Sequence, residues 1–188
     1  MFKAPESPYL VPFDGSFRVA KASTTPLTDS HDHKGKHRKA AARELNQLQR
    51  VLAAGDKHAV LLVFQARDAA GKDGTIRAVM TGMNPSGCQV YSFKQPSTEE
   101  LDHDFLWRNQ VRVPERGRIG IFNRSHYEDV LLVRVHGLAP KKAIEARYDQ
   151  INAFDKHLAE NGTLIMKFCL RICKKEQKER LRVPPQSD

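Results

Sequence analysis

Three residues in "QARDAAGKDGTI" (65–76) could do chemistry together: Lys72, with Asp68 four positions before it and Asp73 directly after. A Gly-Lys pair between an apolar run and a helix start is the arrangement by which a chain holds phosphate. The backbone N–H groups of such a turn and the dipole of the following helix aim at one point, and the lysine adds a full charge. The amides of Ala69, Ala70, Gly71, Lys72, Asp73 and Gly74 would line that point. The acids need a separate reason, because a bare carboxylate repels phosphate. Phosphate loops commonly place a Ser or Thr after the lysine to ligate magnesium, and here Asp73 holds that place, with no hydroxyl before Thr75. A dication on a polyphosphate still needs oxygen ligands, and Asp68 can supply one directly or through water. An ordinary turn with a solvated lysine is the plainer alternative.

A second group follows in "IGIFNRSHYEDVLLVRVHG" (119–137), where Asn123 and Arg124 precede Glu128 and Asp129. Taken alone, two acids in a helix's first turn compensate its dipole, and one arginine makes a surface ion pair of little value. At the carboxyl end of a strand beside a phosphate loop they face the same crevice, which is where open parallel sheets bind ligands.

The elements that must position these groups are legible as alternating strands and helices. Ala41, Leu45, Leu48 and Leu52 recur at helical spacing and predict an amphipathic helix over 34–55 with Ala41 to Leu52 inward. The apolar run 59–64 predicts a strand covered on both faces, and a helix follows from about Asp73 to Gly82, ended by "NPSG". Further strands are expected at 88–93, 118–123 and 163–170. Ser97 and Glu100 form a capping box, a helix lies around 126–135, and Pro140 opens a long helix ending at Asn161-Gly162. Its inner face carries Ile144, Tyr148, Ile151, Phe154 and Leu158, and Phe93, Phe105 and Trp107 read as core. This alternation predicts an α/β fold of three layers, with a parallel sheet flanked by helices. Residues 1–33, with four prolines, read as an extended arm preceding one domain, 34–188.

Composition narrows the function classes. The 188 residues suit a single domain, and 40% hydrophobic residues with no long apolar run exclude a membrane-spanning helix. The N-terminus lacks the apolar core of a secretory signal, and the odd cysteines Cys88, Cys169 and Cys173 lack zinc spacing, so a reduced cytoplasmic protein is expected. A net charge of +9 points to polyanions. His31, His33 and His37 read as part of a solvated arm rather than a metal patch, and His126 as structural.

Together "QARDAAGKDGTI", "GCQVYSFKQPS", "ELDHDFLWR" and "FNRSHYEDVL" resemble the polyphosphate kinase 2 family, in the branch of polyphosphate:AMP phosphotransferases, over about residues 30 to 181. The resemblance implies a P-loop kinase fold, Mg2+, and reversible phosphoryl transfer between inorganic polyphosphate and AMP, ADP or ATP. It places Asp68 and Lys72 in a Walker A-like loop and Asn123, Arg124, Glu128 and Asp129 in a Walker B-like segment. "KKEQKERLR" from Lys174 matches the start of the family's lid, so the resemblance implies a partial lid. Ala66 stands where the family usually has glycine, and its methyl is expected to crowd the loop. After Leu181 the resemblance stops, so the lid is expected to be incomplete, the chain beyond Lys174 frayed, and transfer weak.

On this reading Lys72 and the loop amides hold the phosphates, and Asp68 with Glu128 or Asp129 holds Mg2+ or orients the acceptor. Arg124 stabilises the transition state, and Arg180 closes over the site. Seven basic residues within 167–182 suit a long polyanion. An ATP-dependent kinase and a non-catalytic polyphosphate- or nucleic-acid-binding relic are the rivals. Nucleic acid is not the expected partner: its recognition usually shows aromatic stacking platforms or a basic recognition helix, and the basic helix 34–54 is the only candidate. A homo-oligomer is left open.

Overall fold

The structure is a computed structural model, and it describes residue 4, residues 6–25 and residues 36–182. His31, His33, the side chain of His37 and Pro184-Pro185 lie outside the described residues. Strands β1 (Ala59–Ala66), β2 (Cys88–Ser92), β3 (Ile119–Asn123) and β4 (Thr163–Leu170) form one sheet in the order β2-β3-β1-β4, with all pairs parallel. Helices α1 (Lys36–Gly55), α2 (Lys72–Met80), α3 (Thr98–Asp102), α4 (Trp107–Gln110), α5 (Glu128–His136), α6 (Lys141–Glu160) and α7 (Lys174–Arg182), with a short 3-10 turn at Pro85–Gly87, complete the described elements.

The two central strands explain why the sheet is covered on both faces. In β1 successive side chains alternate between two cores, as a period of two requires. Leu61 and Val63 pack with Phe93, Phe122 and Leu158, against α6. Phe64 packs with Ile76, Met83, Ile119 and Ile121, on the face of α2 and Leu52. Leu61, Ile121 and Phe122 are all 0% exposed, so the middle of the sheet is closed to water. A third cluster, Val130, Ile144 and Ile151, joins α5 to α6. The expected three-layer α/β architecture is therefore present.

The long helix buries Ile144, Ile151 and Leu158 as expected, while Tyr148 stays at the rim. The capping box of α3 forms in both directions: Glu100 N donates to Ser97 Oγ at 3.2 Å, and Ser97 N to Glu100 Oε2 at 2.9 Å. Phe93 is core, whereas Trp107 is half-buried and stacks on His103.

Helix α1 departs from its apolar pattern. Leu45 and Leu48 are exposed, and Gln49, at 3% exposure, is the buried residue. The reason is amide satisfaction. Gln49 Nε2 donates to Asn84 O at 2.9 Å, and its Oε1 accepts from Asn84 N at 2.8 Å. A polar side chain with both ends paired can be buried without penalty, and here it sets the rotation of the helix.

The arm is exposed along almost all of residues 6–25, and Arg171 Nη1 reaches back to Ala22 O at 3.3 Å. Among the described residues no helix is long and apolar enough to cross a membrane.

Gly120, within β3, is required by close approach. A Cβ there would stand 2.8 Å from Cδ of the buried Pro114 ring. Gly120→Ala is therefore expected to lower stability by about 1–3 kcal/mol, read as a shift of the urea midpoint. An unchanged midpoint would show that the Pro114 loop yields freely.

Candidate active site

Parallel pairing brings the carboxyl ends of β1 and β3 side by side, with Phe64 opposite Asn123. The chain after β1 therefore meets the chain after β3 in one crevice. Ala66 is still strand, paired with Leu170. Ala66 thus lies on extended backbone, ahead of the turn itself. The tight turn comes later. Ala69 has φ +62° and Gly71 φ +83°, both left-handed. Glycine adopts that region freely, whereas Ala69 is strained there.

Gly71 is the N-cap of α2 and offers no side chain to the first-turn amides. The helix N-terminus is thus left with donors for an anion. Thr75 Oγ1 donates back to Gly71 O at 3.0 Å, a carbonyl that the Thr75 N–H also bonds, so it caps none of the first-turn amides.

Lys72 is largely buried, 15% exposed, and its Nζ donates to Asn123 Oδ1. Asn123 in turn donates through Nδ2 to Asp73 Oδ1 at 2.7 Å. One amide thus joins the loop to the end of β3. Burial pulls the Lys72 ammonium below the usual lysine range, opposed by the negative charges of Asp73, Glu128 and Asp68 and reinforced by Arg124. The same groups are therefore electrostatic neighbours in one crevice: Lys72, Asp68, Asp73, Arg124 and Glu128.

Arg124 is exposed and left-handed, φ +65°, with its N–H on Phe64 O at 3.1 Å. This twist lifts the guanidinium-bearing residue away from the sheet end while the next two residues turn inward. Ser125 and His126 are both 0% exposed, and Gln65 Nε2 donates to Ser125 Oγ at 2.9 Å. Glu128 is partly buried, and burial raises its carboxyl above the usual glutamate range against the pull of Arg124 and Lys72.

The structure separates the two adjacent acids. Asp129 is also raised by burial, but the charges around it are Arg108, Arg147 and His126, and Lys72 is not among them. Its Oδ2 is buried, and Arg147 Nη1 holds its backbone carbonyl at 2.8 Å. Glu128 thus has Arg124 and Lys72 as its cationic neighbours, and Asp129 has Arg108 of α4 and Arg147 of α6.

Helix α7 is formed and buries none of its residues, yet two side chains tie it to the loop. Gln177 Nε2 donates to Asp68 O at 3.0 Å, and Arg180 Nη1 to Ala69 O at 3.2 Å. Arg180 also pairs with Glu176 at 2.6 Å. Arg180 therefore grips the carbonyl side of the loop in this conformation. A groove of about 540 Å³ runs beside it, lined by apolar residues of α1 and α2 (Ala41, Ala42, Leu45, Ala78 and Val79) together with Arg38, Gly71, Gly74, Thr75 and Arg180. Sequence reasoning missed Gln65 and Gln177, whose roles depend on contacts 60 and 109 positions away.

The chain matches the polyphosphate kinase 2 family over residues 28–185. It is 49% identical over 167 residues to an ADP-polyphosphate phosphotransferase of Rhodopseudomonas palustris, covering 82% of this chain and 58% of that protein. It is 53% identical over 140 residues to an AMP/ADP-polyphosphate phosphotransferase of Meiothermus ruber, covering 74% of this chain and 52% of that one. The chain thus spans about half the length of these curated relatives. A crystal structure of polyphosphate kinase 2 from Arthrobacter aurescens superposes with a TM-score of 0.81 at 40% identity, over 89% of this chain and 62% of the other. With the uncapped loop, the buried lysine and the arginine-acid segment brought into one crevice, the agreement of sequence and fold is decisive: this chain belongs to the polyphosphate kinase 2 family.

Proposed function

We propose that the protein transfers a phosphoryl group between inorganic polyphosphate and a nucleotide, with AMP or ADP as acceptor. The observation that carries this reading is the Lys72–Asn123–Asp73 chain of hydrogen bonds, which fixes a largely buried ammonium beside an uncapped helix N-terminus. The names of its relatives support polyphosphate and AMP or ADP as substrates.

The residues divide the work. Lys72 and the amides of Ala69 and of Gly71 to Gly74 receive the phosphates flanking the transferred group, the Ala70 N–H being held on Arg67 O at 3.1 Å, and Asn123 holds the lysine in place. Arg124, exposed at the crevice, meets the charge that spreads over the equatorial oxygens in the transition state. Positioning and charge neutralisation are the whole demand of this chemistry, since the substrates bring their own nucleophile and leaving group. Arg38 and Arg180 beside the groove favour a donor longer than the phosphates the loop can hold.

Mg2+ fits the donor set. Among the described residues no three acids, histidines or cysteines cluster into a cage. Magnesium needs none, taking one or two carboxylates and completing its shell with phosphate oxygens and water. Asp68, exposed in the loop, and Glu128 are the residues that would hold it, whereas the guanidiniums around Asp129 make that acid a poor ligand. When bound, the ion would neutralise charge shared between adjacent phosphates. The three free cysteines accord with a reducing compartment, and we place the protein in the cytoplasm.

The test is direct: incubate purified protein with Mg2+, AMP or ADP, and either long-chain polyphosphate or ATP, and follow the nucleotides by chromatography. Phosphorylation of the nucleotide with polyphosphate supports the reading, and transfer from ATP alone overturns it. Lys72→Ala should lower polyphosphate-dependent turnover by about 10²-fold or more, with the far-UV circular dichroism unchanged. Retained turnover would remove Lys72 from the site. Asp68→Asn keeps shape and removes charge, so kcat should fall far more than polyphosphate affinity; equal losses would make Asp68 scaffolding only.

A further inference from the structure

The phosphate loop is tied down by β1 and α7, but the segment opposite it, Arg124 to Glu128, is fixed from below by a group outside the sequence motifs. Asp155, on α6, is 8% exposed and lies in the core beneath this segment. Two donors from two elements bond its carboxylate, and a histidine nitrogen stands near the other oxygen without a hydrogen bond to it. Tyr127 Oη donates to Oδ2 at 2.6 Å, Lys167 Nζ of β4 to the same oxygen at 2.6 Å, and His126 Nε2 stands 3.4 Å from Oδ1. The Lys167 ammonium also lies over the Tyr127 ring at 5.1 Å, and the fully buried His126 ring packs on those of Tyr127 and Phe154.

We infer that Asp155 is a positioning residue for phosphoryl transfer, which sets Arg124 and Glu128 by holding His126 and Tyr127 between them from α6 and β4. This rests on the function proposed above. Tyr127 is the N-cap of α5 and offers no cap from its own side chain. Its hydroxyl is committed to Asp155 instead, so the start of the helix that carries Glu128 is located by that bond. On the other side, Arg124 is twisted to a left-handed φ and bonded to Phe64 O. The segment is therefore pinned at both ends, and Asp155 supplies the pin at the α5 end.

The charge of the carboxylate is what draws the donors together. Burial alone would raise the Asp155 carboxyl, and the bonds from Lys167 and Tyr127 with the nearby His126 ring outweigh it, leaving it lowered to about 2. A charged acceptor bonded to several donors is stronger and more exacting in geometry than neutral pairs. The amide of asparagine fills the same space, but it presents a donor where one of these donors must be met.

The experiment uses the full chain with Asp155→Asn and, as a milder change that removes one hydroxyl, Tyr127→Phe. Each variant that keeps the wild-type far-UV spectrum is assayed for polyphosphate-dependent transfer. Asp155→Asn should lower kcat by about tenfold or more, as displacement of a remote support by a fraction of an ångström does, with KM for polyphosphate little changed. Tyr127→Phe should show the same split in smaller degree, and it alone decides if Asp155→Asn does not fold. Hydrogen–deuterium exchange gives a second reading that does not depend on turnover. Amides 125–129 should exchange faster in the variants, with β1 and β3 still protected. Wild-type kcat in folded variants, or an exchange increase spread evenly over the sheet, would overturn the inference and leave Asp155 as a general stabiliser. If the wild-type chain itself lacks transfer, the proposed function fails, and the exchange measurement still decides whether Asp155 fixes the segment.

Discussion

The hydrogen bond from Lys72 to Asn123 is the interaction on which the rest of the site depends. An ammonium withdrawn from water must be compensated, and the fold compensates it with a neutral amide rather than a carboxylate. Acids surround it at longer range, and Lys72 Nζ is 4.0 Å from Asp73 Oδ1. Burial nevertheless outweighs these charges and pulls the lysine's proton affinity down. Such a cation is ready for an anionic ligand. The bond also requires β1 and β3 to be neighbours, since only parallel pairing of these strands brings their carboxyl ends together.

Around that bond the structure arranges two segments with opposite needs. The loop after β1 must be open to phosphate, so its amides are uncapped, and its strain at Ala69 is held from outside by Gln177 and Arg180. A residue so held costs about 1 kcal/mol or more, which the contacts from α7 help to offset. The segment after β3 must be rigid, so Ser125 and His126 are sealed in the core beside Asp155. Helix α7 makes no core of its own, and its attachment consists of polar contacts to the loop and the chain before it.

Much of this was legible in the residues. The strand β1, its phosphate turn and the strand β3 follow from apolar runs that end in Gly-Lys and Asn-Arg, and the agreement of fold and family rests on them. The rotation of α1 was not legible. Gln49 is buried because its amide meets Asn84, 35 positions away, and no local pattern signals such a partner. Glu128 and Asp129 were equally hidden from each other. Neighbours on a helix point about 100° apart, and which one faces the lysine is set by the packing of Arg108 and Arg147 around the other. Asp155 read as one more polar position on α6, since only the fold carries Tyr127 and Lys167 to it.

The central claim is that the loop and the end of β3 form one phosphate site through Lys72 and Asn123. A double-mutant cycle tests it most directly, with polyphosphate affinity measured by calorimetry for the wild type, Lys72→Ala, Asn123→Ala and the double variant. The account predicts that Asn123→Ala weakens binding when Lys72 is present and does little when it is absent, a coupling of about 1 kcal/mol or more. Effects that add to within roughly 0.5 kcal/mol would contradict it, because the two side chains would then act on polyphosphate independently.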